Sequence, residues 1–166
     1  MTASVPPHKA APIPATLDTT PIDDTRINAA PPLLTPPFLQ EWLPATAQAL
    51  ELVETSRRAI ANILHGQDDR LIVVVGPCSI HDHEQAMDYA RQLQAQAQAL
   101  QGELLIVMRV YFEKPRTTVG WKGYINDPHR DDSFAMNEGL EMARRLLLEV
   151  LALGLRTPDI YSEGTT

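Results

Sequence analysis

Basic side chains are concentrated in one short stretch of an otherwise acidic chain. Residues 108–123, MRVYFEKPRTTVGWKG, carry one glutamate and four cations: Arg109, Lys114, Arg116 and Lys122. The formal net charge of the 166 residues is -7, so the local charge opposes that of the whole chain. Clustered cations repel one another unless an anion lies among them. The stretch therefore predicts a clamp for phosphate and carboxylate groups.

The run KPRT is the densest part of this clamp. Pro115 stiffens the backbone between the cations Lys114 and Arg116, and the hydroxyl of Thr117 adds a donor. Arg109 has a planar fork that can grip a carboxylate or a phosphate with two parallel hydrogen bonds. The competing interpretation of KPRT is a solvated basic turn, and for Arg109 it is an ion pair with a nearby carboxylate.

A second motif that could do chemistry is GPCSIHD, which contains the only cysteine of the chain, Cys78. One cysteine cannot form an internal disulfide. A cysteine taken alone is more often a small buried apolar residue than a metal ligand. Its position directly after an apolar run nevertheless places it at the carboxyl end of a strand, where α/β proteins bind ligands.

A strand and a helix are predicted around this second motif. The run LIVVV, residues 71–75, is typical of a buried strand of a parallel sheet that ends at Gly76. Asp82 is a suitable N-cap for the helix that follows, and Gly102 closes it.

The same order repeats around the basic clamp. The run LLIVMRV predicts a second strand over residues 104–110. A loop without periodicity follows over 111–133, and its aromatic residues favour an ordered, functional loop. The next helix ends at Gly154. This alternation indicates an α/β fold, in which both motifs line one mouth at the carboxyl ends of parallel strands.

Proline separates the first part of the chain from the rest. Ten of the 14 prolines lie within residues 1–44, and such a composition does not build a packed core. We expect disorder to about residue 25 and then an extended arm that docks on an apolar surface, such as a second subunit. The arm has five apolar residues for this contact: Leu33, Leu34, Phe38, Leu39 and Trp42. A helix from about Thr46 to Leu64 follows, so the predicted segments are 1–44, 45–66 and 70–166.

Composition limits the class of protein. With 44% hydrophobic and 21% charged residues, the chain resembles ordinary soluble domains. Its apolar runs are too short to cross a bilayer, and its amino terminus carries neither a secretory apolar block nor the arginines of a transit peptide. A pI near 5.1 disfavours general nucleic-acid binding. We therefore expect a cytoplasmic protein with no membrane and no nucleic-acid partner.

The order of residues within these motifs resembles one family. LIVVVGPCSIHD, MRVYFEKPRTTVGWKGYINDPH and MNEGLEMARRLLLEV resemble the class I DAHP (3-deoxy-7-phosphoheptulonate) synthases, over roughly residues 45–155. The resemblance implies a TIM (β/α)8 barrel with an N-terminal extension used in subunit contacts and often in allosteric control. Because a closed barrel takes roughly 250 residues, we expect an incomplete barrel here, formed by its first two βα units.

The resemblance implies a transferase at the first step of the shikimate pathway, which leads to chorismate and the aromatic amino acids. Its partners would be phosphoenolpyruvate and erythrose 4-phosphate, condensed with water to 3-deoxy-D-arabino-heptulosonate 7-phosphate with release of phosphate. Full-length family members are homo-oligomers. The alternative, from a different class, is a truncated and catalytically inactive fragment that acts at most as an anion-binding or subunit-contact module.

The resemblance also assigns roles to residues of both motifs. Lys114 would be catalytic, because its ammonium lies between the substrates and stabilises or protonates the aldehyde oxygen. Cys78 would be one ligand of a divalent transition metal, Mn, Fe, Co or Zn, beside a histidine, a glutamate and an aspartate from later strands. The implied substrate-binding residues are Arg109, Lys114, Pro115, Arg116 and Thr117.

The implied barrel also sets expectations for the isolated chain. Its last residues, RTPDIYSEGTT, depart from the family's pattern near the third barrel strand, and the later metal ligands have no counterpart. We therefore expect low or absent activity. We also expect the LLIVM run of the second strand to be an exposed edge that invites aggregation or pairing with another chain.

Overall fold

The computed structural model describes residues 32–114 and 120–157. These ranges contain four helices and two strands, all within the compact unit that begins at Leu33. In chain order they are α1 (Pro36–Trp42), α2 (Ala47–Leu64), β1 (Leu71–Val75), α3 (His83–Ala99), β2 (Leu104–Met108) and α4 (Met136–Ala152). The predicted α/β class is confirmed. The expected disorder to residue 25 lies outside the described residues, and the predicted three segments stay a prediction.

The two strands form a parallel sheet in which β1 and β2 are neighbours. The register pairs Leu71 with Leu104 and Val75 with Met108. The strand expected over 104–110 ends at Met108, although the Arg109 N–H still donates to the Val75 carbonyl at 2.8 Å. Because parallel strands end on the same side, the GPCSIHD motif and the basic clamp start at one edge of the sheet.

Burial corrects the expectation about which strand is exposed. The first strand, expected to be buried, exposes 68% of Leu71 and 60% of Val74, whereas Leu105 and Ile106 of β2 expose 0% and 4%. The side chains of β2 are buried because Ile106 and Met108 belong to the core cluster with residues of α3 and α4, and Val107 of β2 also pairs in parallel with Arg156. The strand β2 therefore has backbone partners on both sides, and the LLIVM run is not the exposed edge. Among the described residues, β1 is that edge.

Helices α3 and α4 cover the sheet and supply most of the core. Helix α3 begins as predicted, with the Asp82 carboxylate accepting the Gln85 N–H at 2.9 Å. Helix α4 ends at Ala152, and the predicted Gly154 follows two residues later with a φ of +78°, which favours glycine. The buried cluster joins both helices to β2, and its largest members include Ile80, Met108, Tyr124, Leu146 and Leu155.

The amino-terminal helices flank this core. Helix α2 begins close to the predicted start, and the Thr46 hydroxyl caps it by accepting the Ala49 N–H at 3.1 Å. The arm expected to be extended is helical in α1, because proline at the first helical positions has its φ preset for a helix. Of its five apolar residues only Leu39 is buried.

Two hydrogen bonds fasten the arm to α4. The Leu34 N–H donates to Asn137 Oδ1, and Arg144 Nε donates to the Leu43 carbonyl, each at 2.8 Å. Both bonds span about a hundred residues of sequence, so the arm is anchored to α4 at each end of α1. Within the described ranges, no helix combines the length and apolar character needed to cross a membrane.

Placing a lysine at either of two paired positions tests whether β1 or β2 is the exposed edge strand. Val74 and Val107 face each other in the register of the sheet. We expect Val74→Lys to change the free energy of unfolding by about 0.5 kcal/mol or less and to reduce self-association, because lysine protects exposed edges. Val107→Lys buries an unpaired ammonium and should cost about 3 kcal/mol or more. Urea denaturation and sedimentation velocity measure both effects, and equal losses of stability would contradict the assignment.

Candidate functional site

A short loop after β1 lies against the residues that follow β2. The Arg109 N–H donates to the Val75 carbonyl at 2.8 Å, and the Ile80 N–H donates to the Tyr111 carbonyl at 2.7 Å. These two backbone bonds bracket residues 76–79. Gly76 permits the close approach, because a Cβ at this position would overlap the Arg109 carbonyl oxygen. The sequence motif GPCSIHD is thus fixed beside the start of the basic clamp.

The side chain of Arg109 joins the loop to the clamp. Its Nη1 atom donates to the carbonyls of Pro77 and Cys78, each at 2.9 Å. Its guanidinium carbon lies 4.8 Å from the centre of the Tyr111 ring, a cation–π contact. Among the described residues its Nε and Nη2 atoms make no hydrogen bond. The half-buried guanidinium therefore keeps one edge for a carboxylate or a phosphate.

The ring of Tyr111 is a site residue that the sequence analysis missed. A usable signal was its spacing, because residues two apart on an extended chain project to the same side. Tyr111 follows Arg109 at that spacing, and the phenol ring supports the cation. The ring restricts the guanidinium without neutralising it.

The predicted metal ligand Cys78 has an exposed, free thiol. In the described residues, no group of three or more His, Cys, Asp or Glu side chains is placed to hold a metal ion. One thiolate is too few donors for a stable site, since transition metals in proteins take four or more ligands. These residues alone do not fit a bound metal, so Cys78 stays a prediction as one ligand of a larger set.

The predicted catalytic residue Lys114 lies beside an antiparallel bridge, in which Glu113 pairs with Gly123. Its backbone N–H donates to the Lys122 carbonyl at 2.8 Å, and the rings of Phe112 and Tyr124 stack with centres 6.0 Å apart. The predicted order of the whole loop stays a prediction, although these contacts hold its described part. No hydrogen bond there joins the Lys114 side chain to the Arg109 group. Pro115, Arg116 and Thr117 lie outside the described residues.

The segment after this bridge is organised around a buried carboxylate, Asp127. Its oxygens accept the backbone N–H groups of Asp131 and Asp132 at 3.4 Å, and its carbonyl accepts the indole N–H of Trp121 at 2.7 Å. His129 pairs with Glu138 at 3.1 Å between Nε2 and Oε2. These contacts fix the loop ahead of α4, which agrees with a structural role for His129.

Two cavities lie away from this site. One of about 670 Å³ opens at the amino ends of the strands and includes Arg70, whose guanidinium is paired with Asp68 at 2.7 Å. The hydrogen bond from Arg70 lowers the pKa of the Asp68 carboxyl, so this cation already has its anion. The other, about 420 Å³, lies beside the His83–Glu149 pair. Neither cavity includes Arg109 or Cys78, and neither offers an unpaired cation comparable to Arg109.

Comparisons with known proteins define the class. A model of the DAHP synthetase I family matches residues 43–161. The chain is 58% identical over 133 residues to the Phe-sensitive phospho-2-dehydro-3-deoxyheptonate aldolase of Escherichia coli strain K12, covering 80% of this chain and 38% of that protein. It is 54% identical over 134 residues to the phospho-2-dehydro-3-deoxyheptonate aldolase of Amycolatopsis methanolica, covering 81% and 66%.

A solved structure agrees with these matches. The phospho-2-dehydro-3-deoxyheptonate aldolase of Francisella tularensis SCHU S4 superposes with a TM-score of 0.73 at 48% identity, over 79% of this chain and 38% of that one. The chain therefore belongs to the DAHP synthetase I family, as its motifs indicated. It spans less than two thirds of the length of each of these three relatives.

The close approach at Gly76 gives a test of the loop geometry. A methyl group at Gly76 meets the Arg109 backbone, whereas one at Gly102 meets nothing within 4 Å. We expect Gly76→Ala to lower the free energy of unfolding by about 1–3 kcal/mol, as overpacking does, and Gly102→Ala to change it by about 0.5 kcal/mol or less. Urea denaturation measures both, and equal stabilities would show that the strand ends are further apart.

The His129–Glu138 pair predicts a pH dependence. The hydrogen bond to Glu138 and then its charge raise the pKa of His129 above its ordinary value. Because the folded-state pKa is raised, the pair stabilises the fold fully below the ordinary histidine pKa and loses this effect as the pH rises through the raised value. We expect Glu138→Gln to lower the His129 pKa in an NMR titration, while Glu51→Gln on α2 leaves it unchanged. An unaltered pKa in the Glu138 variant would contradict the pairing.

Proposed function

We propose that this chain supplies part of a DAHP synthase, which condenses phosphoenolpyruvate with erythrose 4-phosphate and water at the first step of the shikimate pathway. One observation carries the proposal: the Arg109 guanidinium lies at the carboxyl ends of two parallel strands, against the loop of Cys78. Folds of this class bind ligands at that edge. Family membership and the names of the relatives support the same activity.

The proposed fold of the whole protein is a (β/α)8 barrel, with β1–α3 and β2–α4 as its first two units. Two features support this. The parallel strands β1 and β2 are joined through a helix, and Arg156, after α4, starts a further parallel pairing beside Val107. The order across the sheet thus follows the order along the chain, as in successive barrel strands.

The basic residues have separate tasks in the proposed reaction. Two phosphorylated substrates repel each other, so cations are needed to bring them together. Arg109 binds the carboxylate or phosphate of phosphoenolpyruvate through its free guanidinium edge. Lys114 acts on the aldehyde oxygen of erythrose 4-phosphate, which gains negative charge as the enol carbon attacks. The phosphate of that sugar lies near Pro115, Arg116 and Thr117 in this proposal.

The proposed metal role is limited to one donor. Cys78 is exposed at the mouth, and a thiolate ligand suits Mn, Fe, Co or Zn in a site that other residues complete. A metal held there would polarise the aldehyde. Homo-oligomeric assembly and a cytoplasmic location, with no nucleic acid and no membrane, also stay predictions.

Phosphoenolpyruvate binding by the purified chain tests the proposed site. Isothermal titration calorimetry on Arg109→Met should show at least about tenfold weaker binding, because hydrogen bonds to a charged group contribute about 1.5–3 kcal/mol each. Arg58→Met on α2 is the matched control, since it removes the same charge from an exposed surface pair with Glu54. Equal affinity in the two variants would contradict the proposed binding role.

Turnover separates the enzyme from the inactive alternative. We expect the isolated chain with Mn(II) and both substrates to turn over slowly or not at all, because the described residues hold a single proposed metal donor. Binding without turnover matches an anion-binding fragment. Consumption of phosphoenolpyruvate that requires erythrose 4-phosphate would show that the chain is active alone, contrary to this expectation.

A further inference from the structure

The loop of Cys78 is held at three points by one short segment, residues 109–111. Backbone hydrogen bonds fix its two ends, from Arg109 N–H to Val75 and from Ile80 N–H to Tyr111. The Arg109 side chain fixes its middle, where Nη1 donates to the carbonyls of Pro77 and Cys78. A single residue therefore contacts both the first end and the middle of the loop.

The geometry points to a second task for Arg109, beyond the anion binding of the proposed function on which this inference rests. Arg109 positions the Cys78 loop, and the order of that loop and the binding of an anion at the guanidinium depend on each other. Arg109 is then a positioning residue for the thiol as well as a binding residue for the substrate.

The composition of the loop explains why a side chain is needed. Pro77 has no N–H, so it cannot donate a backbone hydrogen bond of its own. The exposed Cys78 has little packing to hold it in place. Charge-assisted bonds to the two carbonyls replace these missing contacts. Without the guanidinium, the Pro77 and Cys78 carbonyls would turn to water, and the thiol would lose its fixed direction.

The coupling follows from how the guanidinium is shared. The Nη1 atom faces the loop, and the Nε–Nη2 edge is left for a ligand. The guanidinium group is planar and rigid, so an anion bound to one edge also restrains the Nη1 atom that holds the loop. The Tyr111 ring packs against the face of this group. Thermodynamic linkage makes this coupling reciprocal. If a bound anion stabilises the ordered loop by some factor, a change that disorders the loop weakens anion binding by up to the same factor.

NMR relaxation of the full chain tests the positioning role. We expect the Cys78 amide to have an order parameter near that of rigid backbone, about 0.85, and to fall toward about 0.6 in Arg109→Met. Arg58→Met should leave it unchanged. The Met108 amide, bonded to the Arg156 carbonyl at 2.7 Å, reports whether the sheet stays folded. Tyr111→Leu should lower the Cys78 value, and Tyr111→Phe should not.

The second arm uses phosphoenolpyruvate as the probe. Saturating ligand should raise the Cys78 order parameter in the unaltered chain but not in Arg109→Met. Pro77→Gly keeps both carbonyls and loosens the backbone, so it should weaken phosphoenolpyruvate binding on the order of fivefold.

The outcomes distinguish this inference from the proposed function. If phosphoenolpyruvate binds but neither Arg109→Met nor the ligand changes the Cys78 order parameter, the inference is overturned and the proposed function stands. If Arg109→Met loosens the loop while phosphoenolpyruvate fails to bind the unaltered chain, the positioning role is supported, and the coupling to phosphoenolpyruvate fails together with the proposed function.

Discussion

The hydrogen bond from the Arg109 N–H to the Val75 carbonyl is the contact on which the candidate site depends. It is the last bond of the parallel ladder, and it aligns the residue after β2 with the end of β1. Every later contact starts from that alignment: the closeness of Gly76, the two carbonyls at the guanidinium, and the Ile80–Tyr111 bond. Two motifs whose residues Cys78 and Arg109 are 31 positions apart in sequence thereby meet at one edge of the sheet.

The alignment is secure because β2 is the inner strand of the described sheet. Val107 pairs with Val74 on one side and Arg156 on the other, and α3 and α4 bury the strand. A rigid, buried strand can hold a charged side chain at its end with little loss of geometry. The strand β1 is in contrast the edge of the described sheet, and its residues Leu71 and Val74 are exposed.

Local sequence patterns predicted where helices and strands lie better than they predicted which of them are buried or exposed. Asp82 caps α3 where the sequence indicated, because capping depends on a few adjacent residues. Strand exposure was assigned to the wrong strand, since it depends on a pairing with Arg156 that the LLIVM run does not encode. The α1 helix was missed because the high proline content of residues 1–44 suggested an extended chain. Pro36 lies at the first position of the helix, where proline is favourable. The family followed from motif order, whereas the support of Arg109 by Tyr111 was missed although its two-residue spacing was a usable signal.

The most direct test of the central claim is an NMR titration of the Arg109 side-chain Nε–H with phosphoenolpyruvate. The account predicts that this signal shifts and saturates together with the backbone amides of Cys78 and Tyr111, at one dissociation constant. A titration that instead moves Arg70, in the cavity at the opposite ends of the strands, while the Arg109 signal stays in place, would contradict it.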